Sequence, residues 1–181
     1  MMNGKRIVFS GSGGQGVITA SVLLAEAAVI HEGLNAVQTQ TYGPEARGGA
    51  TRADVVISKE RINYPKVINP HILVCLTQEA YNKFSGIIRP GGLLLTDSHY
   101  VKQERKIDAR HVELGMYQAV MDQIGKPIVF NICMLGVLIG LTELVKAESI
   151  TKVLEQKIDP KFMGFNEKAL EIGLRLADSH K

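Results

Sequence analysis

The sequence predicts an α/β protein with a Rossmann-like, mostly parallel sheet, flanking helices and a helical C-terminal part. Short β-like runs alternate along the chain with helical patterns, which is typical of a parallel sheet wrapped by helices. Residues 72–77 form a continuous apolar run, as expected for a strand in the buried middle of such a sheet. A glycine-rich segment at residues 11–16 separates the first strand from the first helix.

The elements follow in order from these patterns. The first strand is predicted at residues 6–10, and the helix at residues 17–31 ends at Gly33, because glycine commonly terminates helices. The second strand is predicted at residues 35–40. Later strands are predicted at residues 93–96 and 110–114, and later helices at residues 78–88, 117–124, 131–146, 150–156 and 166–177.

A hairpin is predicted after the second strand. Two β-like runs, at residues 53–58 and 62–64, flank the polar residues 59–61, a pattern typical of a hairpin. Pro65 and Pro70 then break the chain before the central strand.

Length and composition indicate a folded domain. At 181 residues the chain can bury its apolar surface without cross-links, and we expect one domain over residues 1–181, with a helical extension from about residue 145. A content of 45% hydrophobic and 22% charged residues excludes a disordered protein. The formal net charge is only +3 and the basic residues are scattered, so we expect no nucleic-acid partner.

The spacing of cysteine and histidine disfavours metal and cluster sites. Cys75 and Cys133 lie far apart in apolar runs and form no CxxC pair, which predicts two buried, reduced thiols. The five histidines show no ligand spacing, so we expect no metal site. The chain opens without a signal-peptide pattern and its longest apolar stretch is too short to cross a bilayer, so we expect a cytoplasmic protein.

The glycine-rich segment carries the most informative local motif. Gly11, Gly13 and Gly16 have the G-x-G-x-x-G spacing, which permits a tight turn, a close approach to phosphate and close helix packing. The following helix start favours an anion. We predict a phosphate-binding loop formed by Gly11, Ser12, Gly13, Gly14, Gln15 and Gly16, the alternative being a purely structural turn.

Two features argue against the usual nucleotides. An NAD site needs an acidic residue at the end of the second strand, where residues 37–41 contain none, and Glu32 comes too early. A P-loop needs Lys and Ser or Thr after its last glycine, where this chain has Val17 and Ile18. The loop therefore predicts a phosphate or diphosphate ligand other than NAD or ATP.

A second loop, at residues 41–49, follows the second strand and shares the carboxyl edge of the sheet with the glycine loop. In one interpretation Arg47 or Arg52 binds an anion or a partner carboxylate and Tyr42 supplies a rigid contact face. In the other, Glu45 and Arg47 form a solvated surface pair.

Several other polar residues have candidate roles. Ser12 and Gln15 either donate to phosphate or, for Ser12, cap the following helix. Thr77 follows the central strand and faces the same rim, whereas His99 lacks an identifiable partner for a catalytic base. Capping of its helix is the favoured interpretation of Asn131.

Several motifs together resemble the gamma subunit of 2-oxoacid:ferredoxin oxidoreductases, over about residues 6–157. They are Gly11-Ser12-Gly13-Gly14-Gln15-Gly16, Tyr42-Gly43-Pro44-Glu45-Ala46-Arg47-Gly48-Gly49, Ser58 ahead of Ile62 and Pro65, Arg89-Pro90-Gly91-Gly92, and Asn131-Ile132-Cys133-Met134-Leu135-Gly136. The resemblance implies a subunit of an oxidoreductase that converts a 2-oxoacid and coenzyme A to acyl-CoA, carbon dioxide and reduced ferredoxin or flavodoxin. A separate gamma chain of this length is most like the four-subunit 2-oxoglutarate enzymes.

The resemblance also implies how the work is divided among subunits. Coenzyme A is the expected co-substrate of this chain, bound by the glycine loop with Tyr42, Glu45, Arg47 and Thr77. Thiamine diphosphate and iron–sulfur clusters are expected on the alpha, beta and delta partners. We expect no catalytic residue and no tightly bound cofactor in this chain, which has no thiamine motif and no set of cluster cysteines.

Two other functions remain open from the sequence. A stand-alone nucleotide-binding or sensor module could reuse the same fold, because fold does not determine function. An NAD(P) dehydrogenase is disfavoured by the missing acidic residue after the second strand.

Overall fold

The structure, a computed structural model, describes residues 4–41 and 49–180. Within this part of the chain a six-stranded sheet has the order β2-β3-β1-β4-β5-β6. The strands are β1 (Lys5–Gly11), β2 (Asn35–Thr41), β3 (Thr51–Ser58), β4 (Ile72–Cys75), β5 (Gly92–Asp97) and β6 (Ala109–Leu114).

Five of these strands point the same way. β1, β4, β5 and β6 pair in parallel, whereas β3 lies antiparallel between β2 and β1. The prediction of a mostly parallel α/β sheet is therefore confirmed.

The predicted hairpin at residues 53–58 and 62–64 is wrong. β3 instead pairs along its length with both β1 and β2, and residues 61–67 form no strand. Residues 53–58 are all buried, so both faces and both edges of β3 are covered by other parts of the chain. Tyr64 is 59% exposed and Pro65 cannot donate to a strand ladder, so this segment gains little from pairing.

In the described ranges six α-helices accompany the sheet: α1 (Val17–Glu26), α2 (Gln78–Phe84), α3 (Met116–Gln123), α4 (Phe130–Thr142), α5 (Ala147–Lys157) and α6 (Pro160–Asp178). α1 continues as a π-helical turn, Ala27–His31, and Gly33 follows with a φ of 64°, as predicted for the end of this helix. α4 ends four residues before the predicted boundary, because Glu143 adopts a left-handed conformation with a φ of 52°.

Two apolar cores cover the two faces of the sheet. The larger contains Phe9 and Val55 from the sheet together with residues of α1, α3, α4, α5 and α6. The smaller packs α2 against Val8, Leu73 and Leu94 on the other face. The C-terminal helices therefore share the core of the sheet. No helix in the described ranges is long and apolar enough to cross a membrane.

The closest helix contact joins α4 and α6. α4 is buried on all sides, including Gly136 and Gly140. A Cβ atom on Gly173 of α6 would lie 2.1 Å from the carbonyl oxygen of Cys133, and one on Gly136 would lie 2.5 Å from that of Leu170. The two backbones therefore touch, and only glycine fits at this crossing.

We predict that Gly173→Ala destabilises the protein. A methyl group that cannot fit costs about 1–3 kcal/mol, which exceeds the gain of about 0.5–1 kcal/mol from better helix propensity. The matched control is Gly164→Ala on the same helix, where a Cβ meets nothing within 4 Å. Denaturant unfolding should show Gly173→Ala less stable, and Gly164→Ala slightly more stable, than wild type. An equal effect of the two changes would contradict the close crossing.

Candidate functional site

The glycine loop lies at the carboxyl edge of the sheet, between β1 and α1, as predicted. Gly14 and Gly16 have left-handed backbones, with φ of 91° and 71°. Gly13 and Gly14 are exposed, and a Cβ on either would meet nothing within 4 Å. The middle of the loop therefore presents bare backbone to open space.

The side chain of Gln15 holds the loop in shape. Its Oε1 accepts a hydrogen bond from Ser12 N–H at 2.8 Å, and its Nε2 donates to the carbonyl oxygen of Leu76 at 3.1 Å. A Cβ on Gly11 would lie 2.6 Å from that Oε1, so Gly11 makes room for Gln15. The amide predicted to donate to phosphate is thus committed to the protein, and the last residue of β1 is glycine for this reason.

No side chain caps the start of α1. The N-cap is Gly16, so the predicted capping by Ser12 is wrong. Gly16 offers no side chain to the first backbone N–H groups of α1, and the helix dipole adds partial positive charge at this end. This helix start lies beside the exposed loop backbone and favours an anion.

Asn131 connects α4 to the loop. Its Nδ2 donates to the carbonyl oxygen of Gly16 at 3.3 Å, and a Cβ on Gly16 would lie 2.5 Å from that nitrogen. The predicted helix cap is wrong, because α4 begins at Phe130 with Val129 as N-cap and no side-chain capping bond. Asn131 is 7% exposed, and its Oδ1 has no hydrogen-bond partner in residues 4–41 and 49–180.

A pocket of about 770 Å³ begins at the glycine loop. It continues between the start of α1, the segment before α4 and the first half of α6. Its apolar walls are formed by Ile18, Leu23, Ile128, Ile158, Phe162 and Phe165. Asn131 lines the polar end, and Lys126 lines the mouth with its Nζ 5.0 Å from the ring centroid of Phe165. The pocket thus joins an anion-binding end to an apolar groove that has Lys126 at its mouth.

The groove is unusually exposed for its composition. Ile128 is 82% exposed, Phe162 48% and Phe165 36%. Apolar side chains grouped around a cavity commonly mark a ligand or subunit contact. A ligand in the pocket or a neighbouring chain would remove this surface from water.

The other predicted site residues are placed differently. Thr77 Oγ1 accepts a hydrogen bond from Ala80 N–H at 3.1 Å, so Thr77 caps α2, and it does not line the pocket. Tyr42, Glu45 and Arg47 lie outside the described residues. The strand before them does reach the same edge, because Thr41 pairs with Arg52 and Arg52 with Ser10.

Arg52 engages a carboxylate of its own chain. Its guanidinium donates to both oxygens of Asp54, at 2.7 and 2.9 Å, and to the carbonyl oxygen of Val67. This bidentate pair fixes the segment after β3 to the sheet. Of the two arginines predicted as anion ligands, Arg52 therefore has a structural partner.

A buried acid that sequence reasoning left without a role is Asp97, at the end of β5. Its carboxylate accepts hydrogen bonds from His99 N–H at 2.9 Å and Tyr117 N–H at 2.8 Å, and burial raises its pKa. The His99 ring stacks on Tyr117, with centroids 4.6 Å apart. Asp97 thus ties the end of β5 to the start of α3, and its two bonds to backbone N–H groups give it a structural role.

Both cysteines are buried, as predicted. Burial raises the pKa of both thiols, that of Cys133 to about 12, so both are protonated at neutral pH. Among the described residues no group of three His, Cys, Asp or Glu side chains could hold a metal ion.

Comparison with known proteins points to one family. The family model described as "Pyruvate ferredoxin/flavodoxin oxidoreductase" matches residues 6–176. The 2-oxoglutarate synthase subunit KorC of Methanocaldococcus jannaschii is 46% identical over 168 residues, covering 92% of this chain and 88% of that protein.

Solved structures agree. The keto/oxoacid ferredoxin oxidoreductase gamma subunit from Geobacter sulfurreducens PCA has a TM-score of 0.90 and 36% identity, covering 98% of each chain. A 2-oxoglutarate:ferredoxin oxidoreductase from Magnetococcus marinus, solved with 2-oxoglutarate, coenzyme A and succinyl-CoA bound, has a TM-score of 0.88. At 22% identity, covering 99% of this chain and 32% of that chain, it shows the shared fold alone.

The contact between Gly16 and Asn131 generates a prediction. Gly14→Ala and Gly16→Ala both force alanine into a left-handed backbone, at a cost of about 1–2 kcal/mol each. Only Gly16→Ala also drives a methyl group against Asn131. We expect denaturant unfolding to show the larger loss of stability for Gly16→Ala. Adding Asn131→Ala should remove most of the difference, and an unchanged difference would contradict the contact.

Proposed function

The chain belongs to the pyruvate ferredoxin/flavodoxin oxidoreductase family as a gamma subunit of a 2-oxoacid:ferredoxin oxidoreductase, and we propose that it binds coenzyme A for its complex. The observation that carries the proposal is that the glycine loop and the apolar groove line one continuous pocket. Its polar end offers exposed backbone and an uncapped helix start, and its walls are apolar. Coenzyme A combines a diphosphate with a long arm of low charge, which matches both halves.

The polar end suits the diphosphate. Exposed backbone at Gly13 and Gly14 lets a phosphate approach without a side chain in the way. The dipole of α1 stabilises negative charge at this position by about 0.3–1 kcal/mol, and more in partly buried sites. Lys126 at the mouth supplies the positive side chain that the loop itself lacks.

The apolar half suits the rest of the ligand. The groove beside Phe162 and Phe165 would cover methyl and methylene groups that are otherwise exposed to water. Asn131 Oδ1 has no partner among the described residues, and an amide N–H or hydroxyl group of the ligand would satisfy it. Because Nδ2 of Asn131 is held by Gly16, the acceptor oxygen is the free half of the amide.

The topology of the sheet disfavours NAD in the same place. In a Rossmann site the acidic residue that binds the ribose stands at the end of the strand next to β1. Here β3 occupies that position, and the end of β2 lies about 10 Å from β1, two strand spacings away. The sequence at the end of β2 also lacks an acid.

We propose further that the complex acts on 2-oxoglutarate, giving succinyl-CoA, carbon dioxide and reduced ferredoxin or flavodoxin. The relative named 2-oxoglutarate synthase subunit KorC supports this substrate. Thiamine diphosphate and iron–sulfur clusters would be held by the alpha, beta and delta subunits. The contribution of this chain is then to bind and orient the thiol-bearing co-substrate.

We predict that Gly13→Val raises the KM for coenzyme A at least tenfold in the assembled complex. The backbone of Gly13 is not left-handed, and a Cβ there meets no other atom within 4 Å, so the variant chain should fold normally. The valine side chain should then project into the space that the ligand occupies. Losing two phosphate hydrogen bonds of about 1.5–3 kcal/mol each is sufficient for this change. KM is measured from coenzyme A-dependent reduction of the acceptor.

Thermal melting of the Gly13→Val complex is the control, because a misfolded loop would imitate weak binding. The KM for the 2-oxoacid should change much less than that for coenzyme A. An unchanged KM for coenzyme A in a complex of normal stability would place the co-substrate elsewhere.

We also predict that the native chain elutes in a complex larger than a homodimer. The exposed side chains of Ile128, Phe162 and Phe165 give it apolar surface to bury. Size-exclusion chromatography of native lysate, followed by immunoblotting, measures the size. Elution only as a monomer or homodimer would contradict the subunit assignment and favour a stand-alone module.

A further inference from the structure

A second cavity lies at the opposite, amino edge of the sheet. It measures about 420 Å³ and is bounded by the starts of β1 and β4, the end of β3 and the segment that follows β3. β1 connects the two sites, so the cavity is about 20 Å from the glycine loop, the length of a seven-residue strand. It is therefore separate from the pocket assigned to coenzyme A.

Unpaired arginines converge on this cavity. The structure describes seven arginines, at positions 6, 52, 61, 89, 105, 110 and 175. The guanidinium groups of Arg52, Arg105, Arg110 and Arg175 donate to oxygen atoms of the protein. Those of the remaining three, Arg6, Arg61 and Arg89, have no partner among the described residues, and all three line the cavity.

His71 adds a neutral donor. Its Nδ1 accepts a hydrogen bond from Arg6 N–H at 3.1 Å, so the neutral ring carries its hydrogen on Nε2. Burial, and then the charges of Arg89, Lys5 and Arg6, lower the pKa of His71. The ring is therefore neutral at pH 7 and adds no positive charge to that of the arginines.

The acidic side chain of Glu60 also lines the cavity, and it forms no ion pair with the three arginines. Ile62 and Tyr64 form the apolar part of the wall, with Tyr64 59% exposed. A volume of about 420 Å³ is larger than a bare anion needs and lies within the range of about 300–1,000 Å³ usual for small-molecule sites.

We propose that this cavity is a second binding site, for a small molecule that bears a phosphate group. Guanidinium forks bind phosphate oxygens in bidentate geometry, and a concave site with several cations concentrates the field on an anion. Arg6, Arg61 and Arg89 hold the phosphate, and His71 Nε2–H donates to it. The Tyr64 ring and Ile62 contact the organic part.

The test uses the full chain and pyrophosphate, inorganic phosphate and citrate as probes at constant ionic strength. The ring signals of His71 in NMR spectra report on this cavity alone, which separates it from anions bound at the glycine loop. We expect a saturable shift with pyrophosphate. The double variant Arg6→Gln, Arg89→Gln should weaken binding at least tenfold, because two charge-assisted hydrogen bonds are lost.

The matched control is the double variant Lys168→Gln, Arg175→Gln, which removes the same charge from α6, a helix that does not line the cavity. It should change the affinity less than twofold, since the effect of distant charges is screened by salt. If thermal melting shows that the Arg6→Gln, Arg89→Gln variant is unfolded, the single variant Arg89→Gln takes its place.

Three outcomes would overturn the proposal. No saturable shift would mean that the cavity binds no phosphate. Equal weakening by both double variants would indicate an adventitious ion only. Tighter binding of citrate than of pyrophosphate would make this a carboxylate site. In contrast, if the Gly13→Val chain still shows the saturable shift of His71 with pyrophosphate, the cavity binds its ligand independently of the glycine loop.

Discussion

The backbone contact between α4 and α6 determines where the functional surface can form. α4 is apolar on every side and lies inside the larger core, so its position depends on how closely its neighbours approach. Gly136 and Gly173 allow the two helix axes to come together without side chains between them. This places the first turn of α4 against the glycine loop, where Asn131 bonds to Gly16.

The glycine loop is supported from two directions that are far apart in the sequence. Gln15 binds the carbonyl oxygen of Leu76, beyond the end of β4, and Asn131 approaches from α4. The loop is therefore held at both of its ends, while its middle, Gly13 and Gly14, stays open. An anion site with these properties has rigid donors and little side-chain entropy to lose on binding.

Sequence reasoning succeeded where the signal is local and failed where the partner is distant. The strand–loop–helix context of the glycine motif, the buried cysteines and the family resemblance follow from short patterns, and they are confirmed. The role of Asn131 could not be predicted, because Gly16 lies 115 residues away along the chain. The position of β3 between β1 and β2 likewise depends on tertiary pairing, which the sequence does not show. The apolar run of β3 fits a hairpin strand as well as a central strand.

The span of the pocket in the sequence has a consequence for biosynthesis. Its walls draw on Ser12 near the start of the chain and Asn166 in the last helix, with α4 between them. Domains fold during synthesis as their residues emerge, but this cavity cannot close until Asn166 and the first half of α6 have left the ribosome. A nascent or truncated chain would carry β1 and the exposed glycine loop without the groove beside it. Competence to bind a ligand there is thus acquired only after α6 has been synthesised.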